Sequence, residues 1–310
     1  MYQVKRAARS AFIPIRNLDY HVWTWGDPVP GARPLFMVHG WMDVAASFQF
    51  VVDALSDPFA QGRQIIAPDW RGYGLTRCPG EDDYTHADYL GDLDFLIDHF
   101  CPGQQVDLVG HSMGGNVAMY YAGIRPERIR RLVNIEGFGG PDSTPDEAPA
   151  RYAKWMDQLK KLHRGELALR AYDNCAGVAR RLAKTNPRLA RDEAGRDKAD
   201  WLAAHWARPK ADGKWEILGD PAHKLINAQL FRTDELIALY KRLSMPVLVV
   251  EASDSELAGW WQGRFSLAEF HRRLENVPDC RTTMVQDAGH MLHHDQPEQL
   301  ARLLEDFLGA

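Results

Sequence analysis

Cysteine is scarce in this chain, and the four present (Cys78, Cys101, Cys175 and Cys280) are scattered, with no CxxC pair. That argues against a disulfide framework and against a cysteine-based zinc site. Long apolar runs are missing as well. A stretch such as Pro246-Val-Leu-Val-Val250 falls far below the ~20 residues that span a bilayer. The apolar segment Ala11–Ile15, which follows Lys5, Arg6 and Arg9, is too short for the core of a secretory leader, so a cytoplasmic location is expected. Neither sign of charge dominates. With 37 Lys+Arg against 42 Asp+Glu the net charge is −5, which gives no electrostatic case for a nucleic acid or an acidic membrane as partner. There is no glycine-rich phosphate loop and no HExxH, so no cofactor and no metal are expected.

What remains is an ordinary globular balance, 45% hydrophobic and 25% charged, in 310 residues. Short β-branched runs alternate with helical stretches, the pattern of a mostly parallel sheet with helices on both faces. Phe12–Ile15 and His21–Trp25 read as an antiparallel entry hairpin. Leu35–Val38, Gln64–Ala67, Val106–Val109, Leu132–Ile135, Val247–Val250 and Thr282–Val285 complete an expected set of eight strands. Helices are expected over 86–100, 113–124, 266–275 and 296–308. Between Ile135 and Val247 no strand-like run is found, only helical patterns such as Tyr152–His163 and Asp197–Trp206. A structureless loop of that length is improbable, so 137–244 is expected to form a helical cap over a core made of 1–136 and 245–310.

The chemistry concentrates in Gly110-His111-Ser112-Met113-Gly114-Gly115, which lies between the run ending at Val109 and a helical stretch. This is G-x-S-x-G in a strand–turn–helix context. A turn so sharp leaves no room for side chains at 110 and 114, and it holds Ser112 at a helix N-terminus that favours developing negative charge. A serine hydroxyl needs a neighbouring base to become a nucleophile. Of the twelve histidines, His290, in Ala288-Gly-His290 after a strand, fits that task best. His293 and His294 lie close by, but the spacing suits a base turn better than a metal triplet. His39, His111 and Arg71 are expected to brace the neighbouring turns.

With these motifs in order, each at a strand end, the chain resembles the α/β-hydrolase superfamily over nearly all of its length. His39-Gly40-Trp41 is similar to the family's oxyanion turn, Asp69-Trp-Arg-Gly-Tyr-Gly74 to its D-x-R-G-x-G loop, and Ala288-Gly-His290 to its histidine turn. The resemblance implies an α/β-hydrolase fold and an oxyanion hole formed by the backbone N–H groups of Trp41 and Met113. The chain looks most like the capped branch of haloalkane dehalogenases and C–C hydrolases. The dehalogenases and epoxide hydrolases of this fold use an aspartate as nucleophile, so Ser112 argues against both activities.

The third catalytic group has two candidates. Asp254 follows Val247–Val250, but the family's G-x-x-D spacing is broken there, with Ser255 in the expected slot. Glu136 follows Leu132–Ile135 in undisturbed register, which favours it. Either carboxylate could orient the imidazole. The first half of the insertion is basic (Arg151, Lys154, Lys160, Lys161, Arg164, Arg170), which suits either a solvated helix face or attraction of an anionic substrate. Trp41, Trp155, Trp201, Trp206, Trp215, Trp260 and Trp261 suit pocket walls or simple packing of a cap. The expected activity is hydrolysis of a small carboxylic ester, lactone or thioester through an acyl-enzyme. The alternatives are C–C bond hydrolysis of a diketone acid and an idle ligand-binding role on the same fold.

Overall fold

The computed structural model describes residues 1–309, apart from the side chains of 257 and 258. Eight strands form one sheet: β1 (Arg9–Ile15), β2 (Leu18–Trp25), β3 (Leu35–Val38), β4 (Ile65–Pro68), β5 (Val106–His111), β6 (Ile129–Ile135), β9 (Val247–Ala252) and β10 (Cys280–Val285). Their order is β1-β2-β4-β3-β5-β6-β9-β10. β1 and β2 pair antiparallel, β2 joins β4 antiparallel, and β4 through β10 run parallel. β7 (Ala207–Pro209) and β8 (Trp215–Ile217) form a separate two-stranded hairpin.

The period-2 geometry of a strand explains why the central runs are apolar throughout, since alternate residues feed opposite faces. Phe36 and Val38 enter one buried cluster while Leu35 and Met37 enter another. The first cluster is closed by α3 (His86–Phe100), α4 (Met113–Ile124), α8 (Thr233–Tyr240) and α10 (Leu267–Leu274). The second is closed by α1 (Gln49–Ala54), with α2 (Asp57–Gln61) beside it, by α11 (Leu292–Asp295) and by α12 (Pro297–Gly309). In α12 the residues Leu300, Ala301, Leu304, Phe307 and Leu308 fall on one helical stripe, and all are buried.

Within 137–244 lie α5 (Ala148–His163), α6 (Cys175–Thr185) and α7 (Glu193–Trp206). A third cluster joins Val178, Leu182, Trp201 and Leu202 of α6 and α7 to Val44 and Phe50 of the core side. The insertion was expected to hold no strand, yet it holds β7 and β8. Three-residue strands, one of them ending in Pro209, leave no hydrophobic run to detect. Its last helix, α8, packs Leu236 and Tyr240 into the first cluster with α4. A short helix α9 (Leu257–Trp260) follows β9. Among the described residues no helix is long and apolar enough to cross a membrane.

Candidate active site

Only Ser112 separates β5 from α4. The chain turns there by placing Ser112 at φ 53° and ψ −116°, a conformation that costs a non-glycine residue about 1–3 kcal/mol and must be held by its surroundings. The Ser112 amide donates to the Ile135 carbonyl at 2.8 Å, and its carbonyl accepts from the Asn116 amide at 3.0 Å. The flanking glycines are required by contact. A Cβ at Gly114 would lie 2.3 Å from the Val38 oxygen, and one at Gly110 would lie 2.4 Å from the Gly114 oxygen.

His290 follows β10, with Nε2 2.9 Å from Ser112 Oγ and Nδ1 3.2 Å from Glu136 Oε2. A carboxylate can only accept, so Nδ1 carries the proton and the lone pair of Nε2 faces the serine hydroxyl. Glu136 has a buried side chain and, like Ser112, a positive φ, of 55°. Its Oε1 accepts the Ala252 amide at 2.8 Å, and its Oε2 also accepts the Ser255 hydroxyl at 2.8 Å. Three donors therefore fix this carboxylate in place.

The structure brings Ser112, His290 and Glu136 together and leaves Asp254 out. The Asp254 carboxylate is half-exposed and bound by Arg188 of the insertion and by the Ser253 hydroxyl. Its early position in the turn after β9 explains this. The slot that would face His290 is taken by Ser255, which reaches Glu136 instead. The break in the G-x-x-D spacing was the visible signal of that exchange, but nothing in the sequence revealed the Ser255–Glu136 hydrogen bond.

Gly40 lies against Ser112, since a Cβ there would be 3.0 Å from Ser112 Cβ. Trp41 follows Gly40 directly in the chain, and Met113 opens α4 with an amide that has no intrahelical acceptor. The Trp41 side chain is half-exposed, and its Nε1 donates to the His223 carbonyl at 3.1 Å, tying the turn to the insertion. Trp260 stands edge-on to the His290 ring, 4.4 Å between centroids.

Two other histidines, His39 and His111, brace neighbouring turns. His39 Nδ1 donates to the Gly40 carbonyl at 2.8 Å while Nε2 accepts from the Trp70 amide at 2.9 Å, a complete set for a neutral ring whose pKa burial lowers. His111 Nε2 donates to the His290 carbonyl at 2.8 Å, and burial together with His293 and His290 lowers its pKa well below the ordinary value. Arg71 clamps Asp92 with two hydrogen bonds, at 2.6 and 2.8 Å. Asp43, His111 and His293, all buried, bring potential donor atoms within 4.8 Å of one another, the place among the described residues where a metal could be held. Asp43 already accepts from the Val44 amide and the Ser47 hydroxyl, while the buried Nδ1 atoms of His111 and His293 have no protein partner. Burial would raise the Asp43 carboxyl, but His293, His294 and His39 hold it well below the carboxylate range.

A cavity of about 810 Å³ opens between α4 and α8 below and α5 above. Asn116, one helical turn beyond Ser112, and Tyr120, the next turn on, lie in its wall, as do Gly139 and Gly140 just after Glu136. Its size is that of a small-molecule site.

A serine elbow, a histidine and a buried carboxylate at the carboxyl ends of a parallel sheet define an α/β fold of the hydrolase class. The chain belongs to the α/β-hydrolase fold family, whose model matches residues 33–297. It is 24% identical to a serine hydrolase-like protein of Danio rerio over 98% of this chain and 90% of that one. It is 27% identical to the 2-(acetamidomethylene)succinate hydrolase of Mesorhizobium japonicum over 90% of both. The thioesterase domain from the curacin biosynthetic pathway superposes with a TM-score of 0.79 at 20% identity, covering 96% of this chain and 99% of that one.

Proposed function

We propose that this protein is a serine hydrolase that cleaves a small carboxylic ester, lactone or thioester through an acyl-enzyme on Ser112. The observation that carries the reading is the unbroken hydrogen-bond chain from Ser112 Oγ through His290 to Glu136. In the first half-reaction Ser112 Oγ bonds to the carbonyl carbon while its proton passes to His290 Nε2. The tetrahedral oxyanion is held by the Trp41 and Met113 amides, each worth on the order of 3 kcal/mol in such a hole. The bond from the carbonyl carbon to the leaving oxygen or sulfur then breaks, and the leaving group takes the proton from His290. In the second half a water gives its proton to His290, attacks the ester, and Ser112 regains its hydrogen. Glu136 keeps the imidazole in the tautomer that both halves need. The segment 137–244 acts as the cap, with its last helix seated on the core.

The chemistry is tested by fluorophosphonate labelling followed by a panel of nitrophenyl esters. Wild type should label and turn over, and Ser112→Ala should do neither while keeping its circular dichroism. A Ser112→Ala variant that still labels and hydrolyses at the wild-type rate would sink the assignment. Labelling with no ester turned over, but a vinylogous diketone acid cleaved, would favour the C–C hydrolase alternative. No labelling and no turnover by wild type would leave the ligand-binding role.

A further inference from the structure

Building on the serine-hydrolase reading, we propose that the substrate is an acidic ester whose acyl portion ends in a carboxylate, docked by Arg151, Lys154 and Arg264. These three cations line the cavity that Asn116 and Tyr120 of α4 border. Arg151 and Lys154 stand three residues apart on one face of α5, which forms the roof. Among the described residues none of the three forms an ion pair. Arg151 spends one nitrogen on the Asn227 carbonyl and leaves a buried Nε without any partner. A buried donor without an acceptor is costly, and a carboxylate is the partner that a guanidinium fork fits best. The remaining charges in the wall are already spent or fewer. Arg232 is paired with Asp234, and Glu147 is engaged in the capping box with Thr144. Glu235 stays as an acidic group that disfavours a second anion.

The rest of the lining suits an alkyl or alkenyl chain: Tyr120, Leu230, Phe231, Leu236, Tyr240 and Trp261. The direction of the chain follows from proton transfer. His290 must reach the leaving-group oxygen, so the leaving group lies on the His290 side of Ser112. Neither Ser112 nor His290 is part of the cavity wall, but Asn116 and Tyr120, about 6 and 12 Å along α4 from Ser112, are. With the leaving group on the His290 side, the cavity reached along α4 is assigned to the portion that stays on the serine, and the cations receive its far end.

The test uses a matched pair of substrates, 4-nitrophenyl hydrogen adipate and its neutral methyl ester, with suberate homologues for length. The acid should have the higher kcat/KM by about tenfold or more, mainly through KM, and added salt should erode the difference. In Arg151→Gln/Lys154→Gln, and separately in Arg264→Gln, the acid-to-neutral ratio should fall toward one. Lys160→Gln/Lys161→Gln, the same charge change elsewhere on α5, should leave the ratio unaltered. Equal rates for acid and neutral esters overturn the proposal, as does a preference that survives all these substitutions. An enzyme that fluorophosphonate labels at Ser112 but that leaves the acid ester intact also contradicts it. Absence of both labelling and turnover strikes the hydrolase reading itself.

Discussion

At the scale of single residues, the acid is the informative position. Glu136 is held by Ala252, Ser255 and His290, so its replacement by glutamine offers the imidazole an amide that can present the wrong atom. Glu136→Gln should cost up to ~10⁴ in kcat, whereas Asp254→Asn should cost tenfold or less. Ser255 is a positioning residue. Ser255→Ala should lower kcat about tenfold by freeing one carboxylate oxygen, with KM little changed. Because Ser255 stands where the family's usual acid would, Glu136→Gln/Ser255→Asp should recover part of the activity that Glu136→Gln loses. Steady-state kinetics on the four variants checks this. An Asp254→Asn loss as deep as that of Glu136→Gln would contradict the assignment.

At the scale of elements, the turn between β5 and α4 works because backbone passes where a side chain would go. Gly114 packs a bare Cα against the Val38 and His39 carbonyls. Gly114→Ala should therefore destabilise the fold by about 1–3 kcal/mol, measured by urea unfolding, as well as disturb the Ser112 turn. An unaltered midpoint would show that the contact is looser than drawn. This same crowding is why the elbow was legible in the sequence: close approach demands glycine, and glycine leaves a pattern. α3 and α4 were expected at 86–100 and 113–124 and are found there, α3 with Tyr89, Leu93, Leu96 and Ile97 buried and α4 buried on most of its surface. β7 and β8 were not legible, because a hairpin held by tertiary contacts needs no apolar run of its own. Asp254 stayed open for a related reason. Which carboxylate meets His290 depends on where β6 and β9 end relative to β10, a register set by the assembled sheet.

At the scale of the whole molecule, the insertion and the core meet around His223, whose ring is stacked between Tyr73 at 3.7 Å and Tyr84 at 4.0 Å. Burial lowers its pKa from 6.5 to about 3, so the fold holds it neutral. The unfolded chain protonates this ring between those two values and the folded chain does not, so stability is full above pH 6.5 and is lost as the pH falls toward 3. The slope is about 1.4 kcal/mol per pH unit for each such ring. His86, lowered to about 4 by burial, adds to it down to that pH. Urea unfolding of His223→Gln from pH 7 to 4.5 should show a shallower decline than wild type, and parallel curves would contradict the buried neutral ring.

The central claim is that Ser112 carries the acyl group between the two halves of the reaction, in a chain that joins it to His290 and Glu136. Rapid quenching during turnover of a nitrophenyl ester, followed by intact-mass and peptide analysis, measures this directly. The account predicts an adduct of the acyl mass on the peptide holding Ser112, formed in step with a burst of nitrophenol and consumed as turnover proceeds. Full turnover with no adduct at any time, or an adduct on another side chain, would contradict it.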